Sequence, residues 1–144
     1  MKKRLLAVFM ALCLIVGLLP VSVLAAPGSH NIGAGDVEIS GDQCDCSAEN
    51  PHVITGESVY DIKNLSPHGI SVSGTHHVKL NDVRVEKGSI NFAPAFRIEE
   101  GANVTIILEG SNTLSGGTYN AGVYVAENAQ LTIQGGGTLH ANGG

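Results

Sequence analysis

The sequence predicts an all-β protein wound as a parallel β-helix of about four to five coils, on three observations. The first is alternation. Ile70/Val72, Val78/Leu80 and Val83/Val85 are apolar pairs spaced by two, so each pair points to one face of an extended strand. The joints between them, Ser73 to His77 and Asn81-Asp82, hold turn-forming polar residues. The second is recurrence. Ile70-Ser71-Val72 shifts by 26 onto Phe96-Arg97-Ile98 and by a further 27 onto Val123-Tyr124-Val125. Val78-Lys79-Leu80 maps by the same steps onto Val104-Thr105-Ile106 and Leu131-Thr132-Ile133. Leu114 and Leu139 match at a spacing of 25, with Ile107 and Leu108 as a local insertion of two. The third is turn chemistry. A small residue (Gly69, Ala95, Gly122) precedes the first strand of each coil, and Thr75, Gly101 and Asn128 mark the following turn.

A single coil cannot bury its inward pairs. Stacking coils about 4.8 Å apart sets like over like and completes the backbone ladder. A hairpin-built sandwich would instead favour Asn-Gly or Asp-Gly two-residue turns between strands, which are scarce here.

Read in order, the chain opens with Lys2-Lys3-Arg4 and an apolar run from Leu5 to Leu19. Val23-Leu24-Ala25-Ala26 suits cleavage after Ala25, so residues 1–25 read as a secretory signal peptide. The run is short for a membrane span, and none is expected once it is removed. Cys13 follows Leu12, where a lipoprotein signal would place Gly or Ala, so lipidation is not expected. Residues 26–34 read as a Pro/Gly/Ser linker, and residues 35–144 as the β-helix domain. Asp36 to Ser40 is its first strand, with Val37 and Ile39 inward. An irregular segment, 41–52, is suited to cap the N-terminal edge. Between His52 and Leu65 two strand registers remain open. The chain stops at Leu139 to Gly144, where another coil would begin, so the sequence reads as a truncated part of a longer secreted protein.

Beyond residue 25 lie all 13 acidic residues but only five basic ones (Lys63, Lys79, Arg84, Lys87, Arg97), a net charge of −8. Nucleic acid and anionic membrane surfaces are bound through Lys and Arg, so this balance speaks against both.

Several stretches resemble a known family: Asp36 to Ser40, Gln43-Cys44-Asp45-Cys46, Asn50-Pro51-His52, Ile54-Thr55-Gly56, Gly101 to Thr105, Leu108 to Leu114, and Ala121-Gly122-Val123. They are similar to the secreted surface proteins of clostridia and related gut bacteria that carry right-handed parallel β-helix repeats. Those proteins are commonly described as carbohydrate-binding, with a pectate-lyase-like fold. The resemblance implies an extracellular, non-catalytic module of the cell envelope, associated with the cell wall through downstream sequence, with a polysaccharide or cell-wall glycan as partner.

In the 26/27 register, outward residues of the first strand form columns: Ser71, Arg97 and Tyr124, then Ser73, Glu99 and Ala126, with Gly74, Glu100 and Glu127 beside them. Arg97, Tyr124, Glu99, Glu100 and Glu127 are therefore the candidate ligand-binding residues, able to meet sugar hydroxyls or to hold Ca²⁺ through carboxylate oxygens. The alternative is ordinary solvated positions. A polysaccharide lyase is the competing activity, for which the resemblance to pectate lyase supplies an Arg base beside acidic Ca²⁺ ligands. Arg97 with Glu99 and Glu100 fits that outline best, and Arg84 with Asp82 less well. Catalytic residues are not assigned. Cys44 and Cys46 admit a strained local disulfide, an intermolecular disulfide, free thiols, or a metal site with His52 and Asp42 or Asp45. His76-His77 falls in an expected turn, with one imidazole in solvent and the other partly buried.

Overall fold

The computed structural model describes residues 27–41, 46–61 and 64–144. The signal peptide expected over residues 1–25 lies outside them, as do Cys44, Asp42 and Asp45. Along the described chain run β1 (Ser29–Asn31), β2 (Val37–Ile39), β3 (His52–Val59), β4 (Ile70–Val72), β5 (Thr75–Glu86) and β6 (Phe96–Ile98). Then follow β7 (Asn103–Glu109), β8 (Ser111–Ser115), β9 (Val123–Val125), β10 (Gln130–Gly135) and β11 (Thr138–Asn142). Every pairing between them is parallel, and no helix occurs among the described residues. The all-β solenoid is thus the fold, with about four turns.

Each turn has three faces. The first is the four-stranded sheet β2-β4-β6-β9. The other two belong to one larger sheet that bends round a corner. The front half of β5 stacks on β7 and then β10, while its last residues, Arg84 to Glu86, stack on β8 and then β11. The corner in β5 is Asp82, whose φ of 51° breaks the alternation, so Leu80 and Val83 both face inward three residues apart. One turn further on Gly110 takes the corner with a φ of 65°. A Cβ on it would collide with the Asp82 carboxylate, whose Oδ1 accepts a hydrogen bond from Ser111 N at 2.9 Å.

The inward residues close into one apolar column. Ile70, Phe96 and Val123 are register partners, as are Val72, Ile98 and Val125. Val37 and Ile39 extend the same rows upward and are buried, as their alternation requires. Each fully buried Val, Ile or Leu contributes roughly 1.5–3 kcal/mol before the entropy of ordering the chain is set against it. The rows lose cover at β9 and β10. Val125 and Ile133 lie in inward rows yet are 41% and 49% exposed, because no described strand stacks beyond them.

Three expectations need correction, and one choice left open is settled. The segment read as a linker, 26–34, contains β1, which pairs with β3, and Ile32 there is fully buried. The single strand β3 replaces the two registers left open after His52, bent by a bulge at Gly56, whose φ is 91°. The second face is offset by two from the sequence alignment. Val78 stacks on Ile106, and it is His76 that stacks on Val104, because the turn after β4 is two residues shorter than the turn after β6. Its positive-φ residue is Gly74 rather than Thr75. Finally, Leu114 stacks on Ala141, while Leu139 stacks on Asn112.

Candidate functional site

The outward column of the four-stranded sheet is Glu38, Ser71, Arg97 and Tyr124, each the register partner of the next. The alternation that buries Phe96 and Ile98 also turns Arg97 outward, so the packing of the core aims the site. Arg97 Nε donates to both oxygens of Glu99, at 2.9 and 3.0 Å, and the guanidinium carbon sits 5.1 Å from the centroid of the Tyr124 ring. Ser71 Oγ donates to Glu99 Oε1 at 2.9 Å. Three predicted residues, Arg97, Glu99 and Tyr124, are therefore brought together.

Glu100 and Glu127 are not part of that cluster. Both are exposed at turns of successive coils, and neither enters the ion pairs among the described residues. Arg84 pairs with Glu86 at 2.9 Å, and Asp82 serves the corner. Among the described residues, the one group of three or more Cys, His, Asp or Glu close enough to share an ion is Cys46, His52 and His76, which includes none of the predicted carboxylates.

Hydrogen bonds from Arg97 and then from Ser71 hold the Glu99 carboxyl below its usual range. The part of stability linked to Glu99 is fully present above about pH 4.5 and is lost as pH falls through the lower folded value. In an NMR titration Arg97→Ala is expected to raise the pH at which Glu99 titrates. An unmoved Glu99 would remove the clamp.

Beside Arg97 opens a depression of about 290 Å³, bordered by Asp36, Glu38, Phe92 and Asn120, with Lys87 among its lining residues. Lys87 is 7% exposed and its Nζ donates to the Pro67 carbonyl at 2.6 Å. Burial lowers the Lys87 pKa, and the Asp36 carboxylate partly opposes that shift. Phe92 is 72% exposed. Sequence reasoning missed these residues. Phe92 and Lys87 sit in the irregular link between β5 and β6, where no alternation assigns a side chain to a face.

A second cluster lies at the start of the larger sheet. Cys46 is disulfide-bonded, with its partner outside the described residues. Its Sγ is 3.9 Å from His76 Nδ1 and accepts a hydrogen bond from His77 N at 3.3 Å. The His52 ring packs against those of His76 and His30, with centroids 5.4 and 5.7 Å apart. Burial, and then the neighbouring imidazoles His76 and His30, lower the His52 pKa. Burial likewise lowers that of His76, opposed by its hydrogen bond to the Gly41 carbonyl. His76 belongs to β5 rather than to a turn, and alternation along that strand buries it and leaves its neighbour His77 half-buried.

These features define the class of the protein as a parallel β-solenoid with a polar, aromatic-edged outer face. Comparison with family models, curated proteins and solved structures finds no match to the chain. No helix among the described residues is long and apolar enough to cross a membrane.

Proposed function

We propose that the chain is an extracellular, non-catalytic β-solenoid module of a bacterial surface protein that binds carbohydrate on the outer face of β2-β4-β6-β9. The observation that carries this reading is the Glu99-clamped Arg97 beside the Tyr124 ring and the depression edged by Phe92. A sugar needs apolar surface for its C–H face and fixed polar groups for its hydroxyls. Phe92 and Tyr124 supply the first. Arg97, Asp36, Glu38 and Asn120 supply donors and acceptors. The clamp matters because a guanidinium already fixed in place loses less freedom when a ligand arrives. The same clamp weakens the lyase alternative, since the arginine that would serve as base is bound to Glu99.

The test is a glycan array with and without Ca²⁺, using the wild-type chain, Arg97→Ala and Tyr124→Ala. Binding by the wild type is expected, with a loss of roughly tenfold or more in each variant, the weight of about 1.4 kcal/mol. A requirement for Ca²⁺ would add carboxylates such as Glu100 and Glu127 to the site. No binding under either condition would sink the reading. Release of an unsaturated product absorbing in the ultraviolet, lost in Arg97→Ala, would replace it with the lyase.

A further inference from the structure

Lys87 is buried with most of its hydrogen-bonding capacity unspent. It follows β5 in the link to β6, is 7% exposed, and its Nζ donates to the Pro67 carbonyl at 2.6 Å. An ammonium carries three donors, and burying one is unfavourable unless they are met. Among the described residues that carbonyl is the one acceptor Lys87 meets, and it enters none of the ion pairs. Its ammonium lies in the floor of the depression beside Arg97. A Cβ on Gly69 would stand 2.8 Å from Nζ, so the glycine that precedes β4 leaves the room, and both residues line the cavity.

The charges around Nζ decide what kind of acceptor fits there. Glu99 neutralises Arg97, which leaves the exposed carboxylates of Asp36 and Glu38 against the single ammonium. A ligand carboxylate would meet two like charges for one opposite charge, which disfavours an acidic sugar. A ligand amine would meet Lys87 as a like charge and offer it no acceptor. A secondary amide answers all three walls. Its carbonyl oxygen accepts from Nζ, its N–H donates to a carboxylate, and its methyl covers the apolar surface of Phe92 and Pro94. Burial lowers the Lys87 pKa, and a neutral carbonyl accepts from the amine in either protonation state.

We propose that this depression selects N-acetylated hexosamines, with Lys87 Nζ donating to the acetamido carbonyl, Asp36 or Glu38 accepting from its N–H, and Phe92 packing on its methyl. The inference rests on the glycan-binding reading of this face and names the sugar class the face takes. At about 290 Å³ the depression is at the small end of ligand pockets, with room for one ring and its substituent. Arg97 and Tyr124 hold sugar in general, whereas Lys87 determines specificity.

The experiment is calorimetry on the full chain with β-1,4-linked trimers of N-acetylglucosamine, glucose and glucosamine, and with a trimer of galacturonate. The acetylated trimer is expected to bind roughly tenfold or more tighter than the glucose trimer, and the other two no tighter than glucose. Lys87→Met keeps the apolar stem and removes the donor, so the preference should fall to within about twofold. Arg97→Ala should weaken the acetylated and glucose trimers by the same factor and leave their ratio standing. Glucose binding that Arg97→Ala weakens, with no preference for the acetylated trimer, would overturn this inference and leave the glycan face intact. Tightest binding of the galacturonate or glucosamine trimer would also overturn it. No binding of any trimer would remove the glycan reading itself and the inference with it. Should Lys87→Met fail to fold, saturation-transfer NMR on the wild type and Phe92→Ala decides. The acetyl methyl is expected to be the most strongly saturated ligand group in the wild type and to lose that rank in Phe92→Ala. Uniform saturation of the ligand in the wild type would overturn the proposal.

Discussion

Phe96→Ala is expected to cost roughly 3–5 kcal/mol, a large share of the stability of a domain this size. Phe96 is fully buried and heads the largest fully buried side chains of the chain. It lies between Ile70 above and Val123 below, in a solenoid where each turn touches only its neighbours. Truncation therefore opens a gap that adjacent coils fill poorly, since the backbone ladder fixes their spacing. In urea unfolding the midpoint should fall sharply, with the slope unchanged if cooperativity holds. Phe92→Ala is the control: its ring is 72% exposed, so stability should move by no more than about 0.5 kcal/mol. On the proposed function, however, glycan binding should weaken in Phe92→Ala. A loss below about 1 kcal/mol in Phe96→Ala would contradict the stacked column.

The face that carries Arg97 was readable because three signals coincide on it. Alternation, a small residue before the strand, and a repeat of 26 then 27 residues all name the same positions. The second face was misaligned by two because its first inward residue is His76. Hydropathy treats a histidine as a turn residue whether it is buried or solvated, and the true turn, Ser73-Gly74, is short enough to hide the offset. The third face misled through likeness of residue type: Leu114 and Leu139 were matched as leucines, but the backbone pairs Leu139 with Asn112. The site followed the same pattern. The Ser71-Arg97-Tyr124 column came from the repeat, whereas Cys46, His52 and His76 belong to successive levels that only the winding brings together. Phe92 and Lys87 come from a link whose conformation no periodicity describes.

The misread third face holds the second large effect: Asn112→Ala is expected to cost on the order of 3 kcal/mol with no apolar surface at stake. Asn112 is fully buried at the corner after Gly110, and its amide joins three levels of the solenoid. Its Oδ1 accepts from Val83 N at 3.0 Å in the coil above. Its Nδ2 donates to Glu109 O at 3.0 Å in its own coil and to Thr138 O at 3.2 Å in the coil below. These backbone groups need the amide because the corner interrupts the ladder: Asp82 and Gly110 take positive φ values there, and regular pairing cannot run straight through. Alanine would leave one N–H and two carbonyls without that partner, and a buried group so exposed costs about 1–3 kcal/mol. Leucine would restore volume but not the bonds, so Asn112→Leu should be no better than alanine. That comparison separates hydrogen bonding from packing. Thr113→Ala, half-buried on the same strand, should change stability by no more than about 0.5 kcal/mol. If Asn112→Leu were as stable as the wild type, the corner would be held by apolar packing, and the asparagine would be incidental to the stacking of the coils.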